Sequence, residues 1–171
     1  METVKLMNMC KIIDVNTNKV LIQERVKNWK GIAFPGGKIN NGEGITKSTI
    51  REVKEETGLD ITNLELCGVK DWYNKEKNER SIVFLYKTTV FTGDLILETE
   101  EGKNYWISED ELSKKELANN FDIVLKVFKE DNYYEKIKET KKYSKTLETA
   151  VKEDNYSEMI YNEKIKDWDL F

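Results

Sequence analysis

At 171 residues, with 39% hydrophobic and 35% charged side chains, the chain is sized for one domain with a real core and a busy polar surface. A formal charge of −4 offers no electrostatic reason to expect nucleic-acid or membrane binding. There is no histidine, which excludes Ser-His-Asp and Cys-His nucleophilic machinery and every His-ligated metal site. Hydrolysis, if the chain performs it, has to run on carboxylates, lysines, arginines and metal-bound water. No apolar run nears the ~20 residues of a membrane span, and the opening METVKLMNMC lacks a signal-peptide layout. Cys10 and Cys67 lie in apolar, strand-like surroundings and read as buried reduced thiols, so a cytoplasmic location is expected.

In chain order, residues 4–14 and 19–26 read as strands joined by a turn at Asn16-Thr17-Asn18. On the second strand Leu21, Gln23 and Arg25 share one face. NWKGIAFPGGK reads as a loop in which Pro35, the only proline, stands beside Gly36 and Gly37. A fixed φ next to two permissive residues lets backbone amides and carbonyls approach a ligand. A helix is predicted from about Thr46 to Thr57, closed by Gly58. With Glu52 at zero, Glu56 falls at about +40° and Glu55 at about −60°, so three carboxylates share one face. Thr46, Ile50, Val53 and Thr57 form a separate stripe suited to packing on a sheet. Carboxylates held this close repel and raise one another's pKa unless a cation neutralises them, and oxygen-only donors suit Mg²⁺ or Mn²⁺.

Further strands are predicted at 64–73, 80–91 and 102–107, the middle one apolar on both faces and therefore central. Ser108 to Glu111 has the form of a capping box. Asn119 and Asn120 then precede an amphipathic helix carrying Phe121, Val124, Leu125 and Phe128. From Asp131 the texture becomes charged, and KEDNYYE at 129–135 nearly repeats at 152–158 as KEDNYSE. The final SEMIYNEKIKDWDLF reads as a short hairpin or packed tail without chemistry. A domain over 1–130 with a charged extension over 131–171, packed on the same domain, is expected.

The segment from Gly37 to Leu59 resembles the Nudix hydrolase family, whose signature is G-x5-E-x7-R-E-U-x-E-E-x-G-U, with U aliphatic. Gly37, Glu43, Arg51, Glu52, Val53, Glu55, Glu56, Gly58 and Leu59 match it without a departure. The resemblance implies an α/β (α+β) fold, an α/β/α sandwich around a mixed central sheet. It also implies cleavage by water of a nucleoside diphosphate linked to another group, with divalent cations, Mg²⁺ or alternatively Mn²⁺. Carried over by position, Glu52, Glu55 and Glu56 would be metal ligands beside the carbonyl of Gly36, with Glu43 and Arg51 supporting them. A downstream acid before a tryptophan-bearing strand is a family habit, and Glu98, Glu100 and Glu101 precede Trp106, with Glu101 favoured by spacing. The general base would be Glu52, Glu56 or that downstream acid.

The lone Pro35 means that the downstream marker prolines of ADP-ribose and NADH pyrophosphatases are absent, and Trp29 breaks the coenzyme A pyrophosphatase pattern. AFPGGK, LCGVKDWY, SIVFLYKT and GKNYWIS are similar to the MutT-type branch, including Gram-positive 8-oxo-dGTP diphosphatases. That likeness implies a nucleoside triphosphate substrate, with Asn119 or Asn120 reading an oxidised purine, Asn119 being preferred for that role and Asn120 for capping the last helix. Arg25, Gly37 and Lys38 would contact phosphate, and Trp29, Phe34 and Trp72 are candidates for stacking on a base. The expected partner is a small nucleotide, with neither membrane nor nucleic acid, for a monomer or homodimer. Broader (d)NTP or RNA 5′-end pyrophosphohydrolysis is the alternative. A non-catalytic nucleotide sensor is another, although such modules commonly lose signature carboxylates and this chain keeps them all.

Overall fold

The computed structural model describes residues 1–27, 30–118, 121–129 and 156–161. Trp29, Asn119 and Asn120, together with most of 131–171, lie outside them. Among the described residues ten strands and three helices follow one another as β1 (Thr3–Asp14), β2 (Lys19–Arg25), β3 (Gly31–Ala33), α1 (Ile45–Thr57), β4 (Asp60–Thr62), β5 (Glu65–Asn74) and β6 (Glu79–Thr88). Then come β7 (Val90–Thr92), β8 (Glu98–Thr99), β9 (Gly102–Ile107), α2 (Glu109–Leu112), α3 (Phe121–Lys129) and β10 (Tyr156–Tyr161).

Eight strands form one sheet in the order β10-β5-β6-β1-β2-β9-β8, and β3 pairs with β2 off that path. The β1–β6 ladder is parallel and its neighbours are antiparallel, so the sheet is mixed. Strand alternation feeds two cores. Val20, Ile22, Val83 and Leu85 pack on one face with Phe121, Val124 and Leu125 of α3. Leu21, Cys10, Ile12 and Tyr86 pack on the other with Val53 of α1. The molecule is an α/β/α sandwich. Burying each of the larger side chains contributes about 1.5–3 kcal/mol, so the helices are held chiefly by these two faces.

One departure from a plain sheet creates the site. β1 and β2 pair only at Ile13↔Val20 and Asp14↔Lys19 and then separate. The Pro-Gly-Gly segment fills the gap: Cys10 N donates to Pro35 O at 2.9 Å, Asn8 N to Gly37 O at 2.8 Å, and Ile39 N to Leu6 O at 2.9 Å. On its other side β3 pairs with β2, Gln23 opposite Ala33.

Two sequence expectations are corrected. Part of the expected loop, Gly31–Ala33, is the strand β3. The strand expected over 80–91 breaks at Thr89, because Thr88 turns its hydroxyl to Thr62 O (2.6 Å) and takes a hydrogen bond from Val90 N (3.0 Å). The capping box is present, with Ser108 Oγ accepting from Glu111 N and Glu111 Oε2 accepting from Ser108 N. β10 runs antiparallel to β5 at the sheet edge.

Candidate active site

Helix α1 begins at Gly44, whose carbonyl accepts from Ser48 N at 2.9 Å. It ends where Gly58, in the left-handed region at φ 77°, donates to Lys54 O at 2.9 Å. Two of its last carbonyls are satisfied from outside: Asn104 Nδ2 donates to Glu56 O at 2.7 Å and Ile96 N to Thr57 O at 2.8 Å. The helix is thereby bolted to loop 94–97 and to β9.

The buried residues of α1 are Ser48, Thr49, Val53, Glu56 and Thr57, and of the expected stripe Ile50, Val53 and Thr57 pack inward while Thr46 in the first turn is exposed. Glu52 and Glu56 face the glycine loop, where polar groups meet them. Buried Asn8 reaches from β1 to Ser48 Oγ at 3.0 Å and accepts from Gly37 N at 3.4 Å, tying strand, loop and helix together.

Glu56 is 8% exposed and its Oε2 accepts from Gly36 N at 2.9 Å. Burial pushes its carboxyl up to about 7, and the charges of Glu52 and Glu101 add to the rise, against the Gly36 amide and Arg25. Burial likewise raises Glu52, with Arg51 opposing. Glu52 lies so close to Gly37 that a Cβ there would fall 2.3 Å from its Oε2. The positive φ of Gly36 (152°) and the 2.4 Å approach of a Cβ to Asn8 O require glycine at that position too.

Arg51 organises the acids around it. Its Nε and Nη2 grip the two oxygens of Glu43 at 2.8 Å each, and its Nη1 meets Glu52 at 2.8 Å and Glu55 at 3.1 Å. Its Nη2 also reaches Lys38 O and Ser48 Oγ, both at 3.2 Å. The guanidinium holds the Glu43 carboxyl down to about 2. Glu55 is exposed, so the three signature glutamates are split between cavity and surface.

A cavity of about 620 Å³ opens between the separated strands. Its polar wall carries Glu52, Glu56, Glu101, Arg25, Lys30 and Lys38 together with Gly36 and Gly37. Its apolar wall carries Met7, Met9, Trp72, Val83, Leu85 and Phe121, beside Lys70, whose Nζ is 5.7 Å from the Trp72 ring centroid. Arg25 Nη2 donates to Glu101 Oε2 at 3.3 Å, whereas Glu100 points outward to the exposed Lys27. Glu98 stands in β8 and Lys38 is itself exposed. Phe34 borders the cavity but packs edge-on against Phe121 and Phe128, as a core residue does. Asn8 and Asn104 were missed by the sequence reading. Each interrupts an otherwise apolar strand face, Asn8 between Leu6 and Cys10 and Asn104 two before Trp106, and that interruption was the available signal.

Among the described residues no three carboxylates or thiols close on a single point, because Arg51 holds Glu52 and Glu55 while the Gly36 amide holds Glu56. The donor chemistry nonetheless fits a hard divalent cation. Glu52, Glu56 and Glu101 border one cavity, every donor is oxygen, and the charges of Glu52 and Glu101 both act to raise the Glu56 carboxyl.

The NUDIX domain family matches residues 8–128. A Nudix hydrolase of Bacillus subtilis, YvcI, is 33% identical over 110 residues, covering 63% of this chain and 68% of that protein. An ADP-ribose pyrophosphatase of Methanocaldococcus jannaschii is 35% identical over 80 residues, covering 46% of this chain but only 47% of that protein. Among solved structures, a MutT protein of Bacillus halodurans superposes with a TM-score of 0.65 at 28% identity, covering 74% of this chain and 84% of that one. A MutT protein of Methanosarcina mazei, at TM-score 0.63 and 22% identity over 77% of this chain and 97% of that one, shows the same fold. The chain belongs to the Nudix hydrolase family and is of the MutT type. Members of this family generally use divalent cations, and among the described residues no helix is long and apolar enough to cross a membrane.

Proposed function

We propose that the protein is a Mg²⁺-dependent nucleoside triphosphate pyrophosphohydrolase acting on oxidised purine nucleotides, with 8-oxo-dGTP as its substrate. The observation that carries this reading is a single cavity joining three carboxylates to a wall of Trp72, Phe121 and aliphatic side chains. One wall suits a metal-bridged polyphosphate and the other a base. Glu52, Glu56, Glu101 and the carbonyl of Gly36 would hold the cation, with Glu55 on the exposed side. When bound, it neutralises polyphosphate charge and lowers the pKa of the attacking water. Arg25 and Lys38 contact phosphate oxygens, and Arg51 holds the carboxylates in register. Water attacks the β-phosphorus, the bond to the α–β bridging oxygen breaks, and the products are the monophosphate and pyrophosphate. The proton of the water passes to a carboxylate, since the chain has no histidine. Asn119 or Asn120, ahead of α3, reads O6 and N7–H of the base, an edge that an amide complements as both donor and acceptor.

A second reading, cleavage of a nucleoside diphosphate linked to another group, is favoured by the 35% identity to the archaeal ADP-ribose pyrophosphatase. A substrate panel decides between them: 8-oxo-dGTP, dGTP, ATP, ADP-ribose and 5′-triphosphorylated RNA, with products identified as pyrophosphate or phosphate. The first reading expects 8-oxo-dGTP to lead in kcat/KM. A tenfold preference for any other substrate, about 1.4 kcal/mol, overturns it.

A further inference from the structure

We propose that Gln23 and Asn104 hold a buried water between them and through it position Arg25 and the main chain of Glu56. Gln23 on β2 and Asn104 on β9 are directly opposed in the antiparallel register. Their side chains therefore lie side by side on the α1 face, in the columns that carry Leu21 and Trp106. Gln23 is 0% exposed, yet neither its Oε1 nor its Nε2 has a partner among the described residues. Asn104, 2% exposed, donates from Nδ2 to Glu56 O at 2.7 Å and to Ile96 O at 2.8 Å. Two carbonyl acceptors identify which end of that amide is nitrogen, so the atom left unpartnered is the acceptor Oδ1. Arg25, two residues beyond Gln23 on the same face, leaves Nε buried and without a partner among the described residues while Nη2 bonds Glu101.

Donors and acceptors without partners thus adjoin in one patch beneath the catalytic end of α1. Buried polar groups of this kind are costly unless satisfied, and a site with two to four polar partners is where proteins keep an internal water. A water there donates to Asn104 Oδ1 and accepts from the Gln23 amide or Arg25 Nε. It couples the strand that carries Arg25 to the side chain that fastens Glu56. Gln23 and Asn104 are on this account positioning residues, with no contact to substrate.

The inference rests on the hydrolase reading only for its kinetic arm. High-resolution crystal structures of the wild type and of Gln23→Leu form the first arm. A water within hydrogen-bonding distance of Gln23 and Asn104 Oδ1 is expected in the wild type. In the variant the water is lost and the Arg25 guanidinium moves off Glu101. With the best nucleotide substrate, Gln23→Leu and the closer isostere Gln23→Met should lose roughly tenfold in kcat with KM within about threefold. A dry pocket in the wild type overturns the proposal, as does a Gln23→Leu protein that melts higher with kcat unchanged. Should the wild type turn over no nucleotide, the substrate reading fails while the crystallographic arm still decides the water.

Discussion

Replacing Glu56 by Gln keeps the side-chain shape and an oxygen for the Gly36 amide, and deletes only the charge. In the folded protein the carboxyl is raised from 4.5 to about 7, burial being the largest cause. The folded state therefore binds this proton more tightly than the unfolded chain does. The resulting cost is absent below about pH 4.5 and grows as the pH rises toward about 7. At ~1.4 kcal/mol per pH unit it reaches about 3 kcal/mol in the metal-free protein above pH 7. For a protein of this size that corresponds to roughly 6–12 °C in Tm. Melting curves after chelation should coincide for wild type and Glu56→Gln near pH 4.5 and separate by pH 8, with the variant higher. Mg²⁺ at pH 8 should then raise the wild type and close the gap, since a ligand of the folded state alone stabilises it by mass action. Turnover in Glu56→Gln should fall by about a hundredfold or more. A gap that does not widen between pH 4.5 and 8 would refute the claim that Glu56 is held against its charge by burial.

The adjacent glycines should fail in different ways. Gly36→Ala forces a Cβ to 2.4 Å from Asn8 O at a φ of 152°, so its Tm should drop by several degrees. Gly37→Ala meets the movable carboxylate of Glu52, so kcat should fall at nearly unchanged Tm. Arg51→Lys leaves three donors where six hydrogen bonds now run from the guanidinium, so both Tm and kcat should decrease. Glu43, held down to about 2, contributes stability that is complete above pH 4.5 and lost as the pH falls toward 2. Arg51→Lys removes that contribution, so acid titration followed by circular dichroism should find it unfolding at higher pH than the wild type. Glu101→Gln should lower kcat by tenfold or more, while Glu100→Gln, exposed and paired with Lys27, should match the wild type in steady-state kinetics; equal losses would put the downstream acid elsewhere.

The candidate site is largely local in the chain, and its residues are correspondingly legible as a group. A helix period, a terminating glycine and fixed spacing within residues 37–59 are enough to put Glu52, Glu55 and Glu56 on one helix beside a glycine turn. The capping box at Ser108 and the two-sided apolar run of β6 are local for the same reason, whereas the sandwich followed from the resemblance to the family rather than from periodicity. What the tertiary structure alone decided depends on contacts between segments far apart in sequence. The separation of β1 from β2 admits the 35–39 segment and opens the cavity. Asn8 and the Gly36 amide reach α1 from elsewhere in the chain, Asn8 at Ser48 and Gly36 at the Glu56 carboxylate. Arg25, 76 residues away, pairs with Glu101 at the cavity while Glu100 faces outward, and the burial that lifts Glu56 to about 7 comes from packing that no sequence spacing records. Periodicity tells which residues share a face. Only the packed molecule tells which way that face is turned, because hydrogen bonds and burial from distant strands settle the rotation.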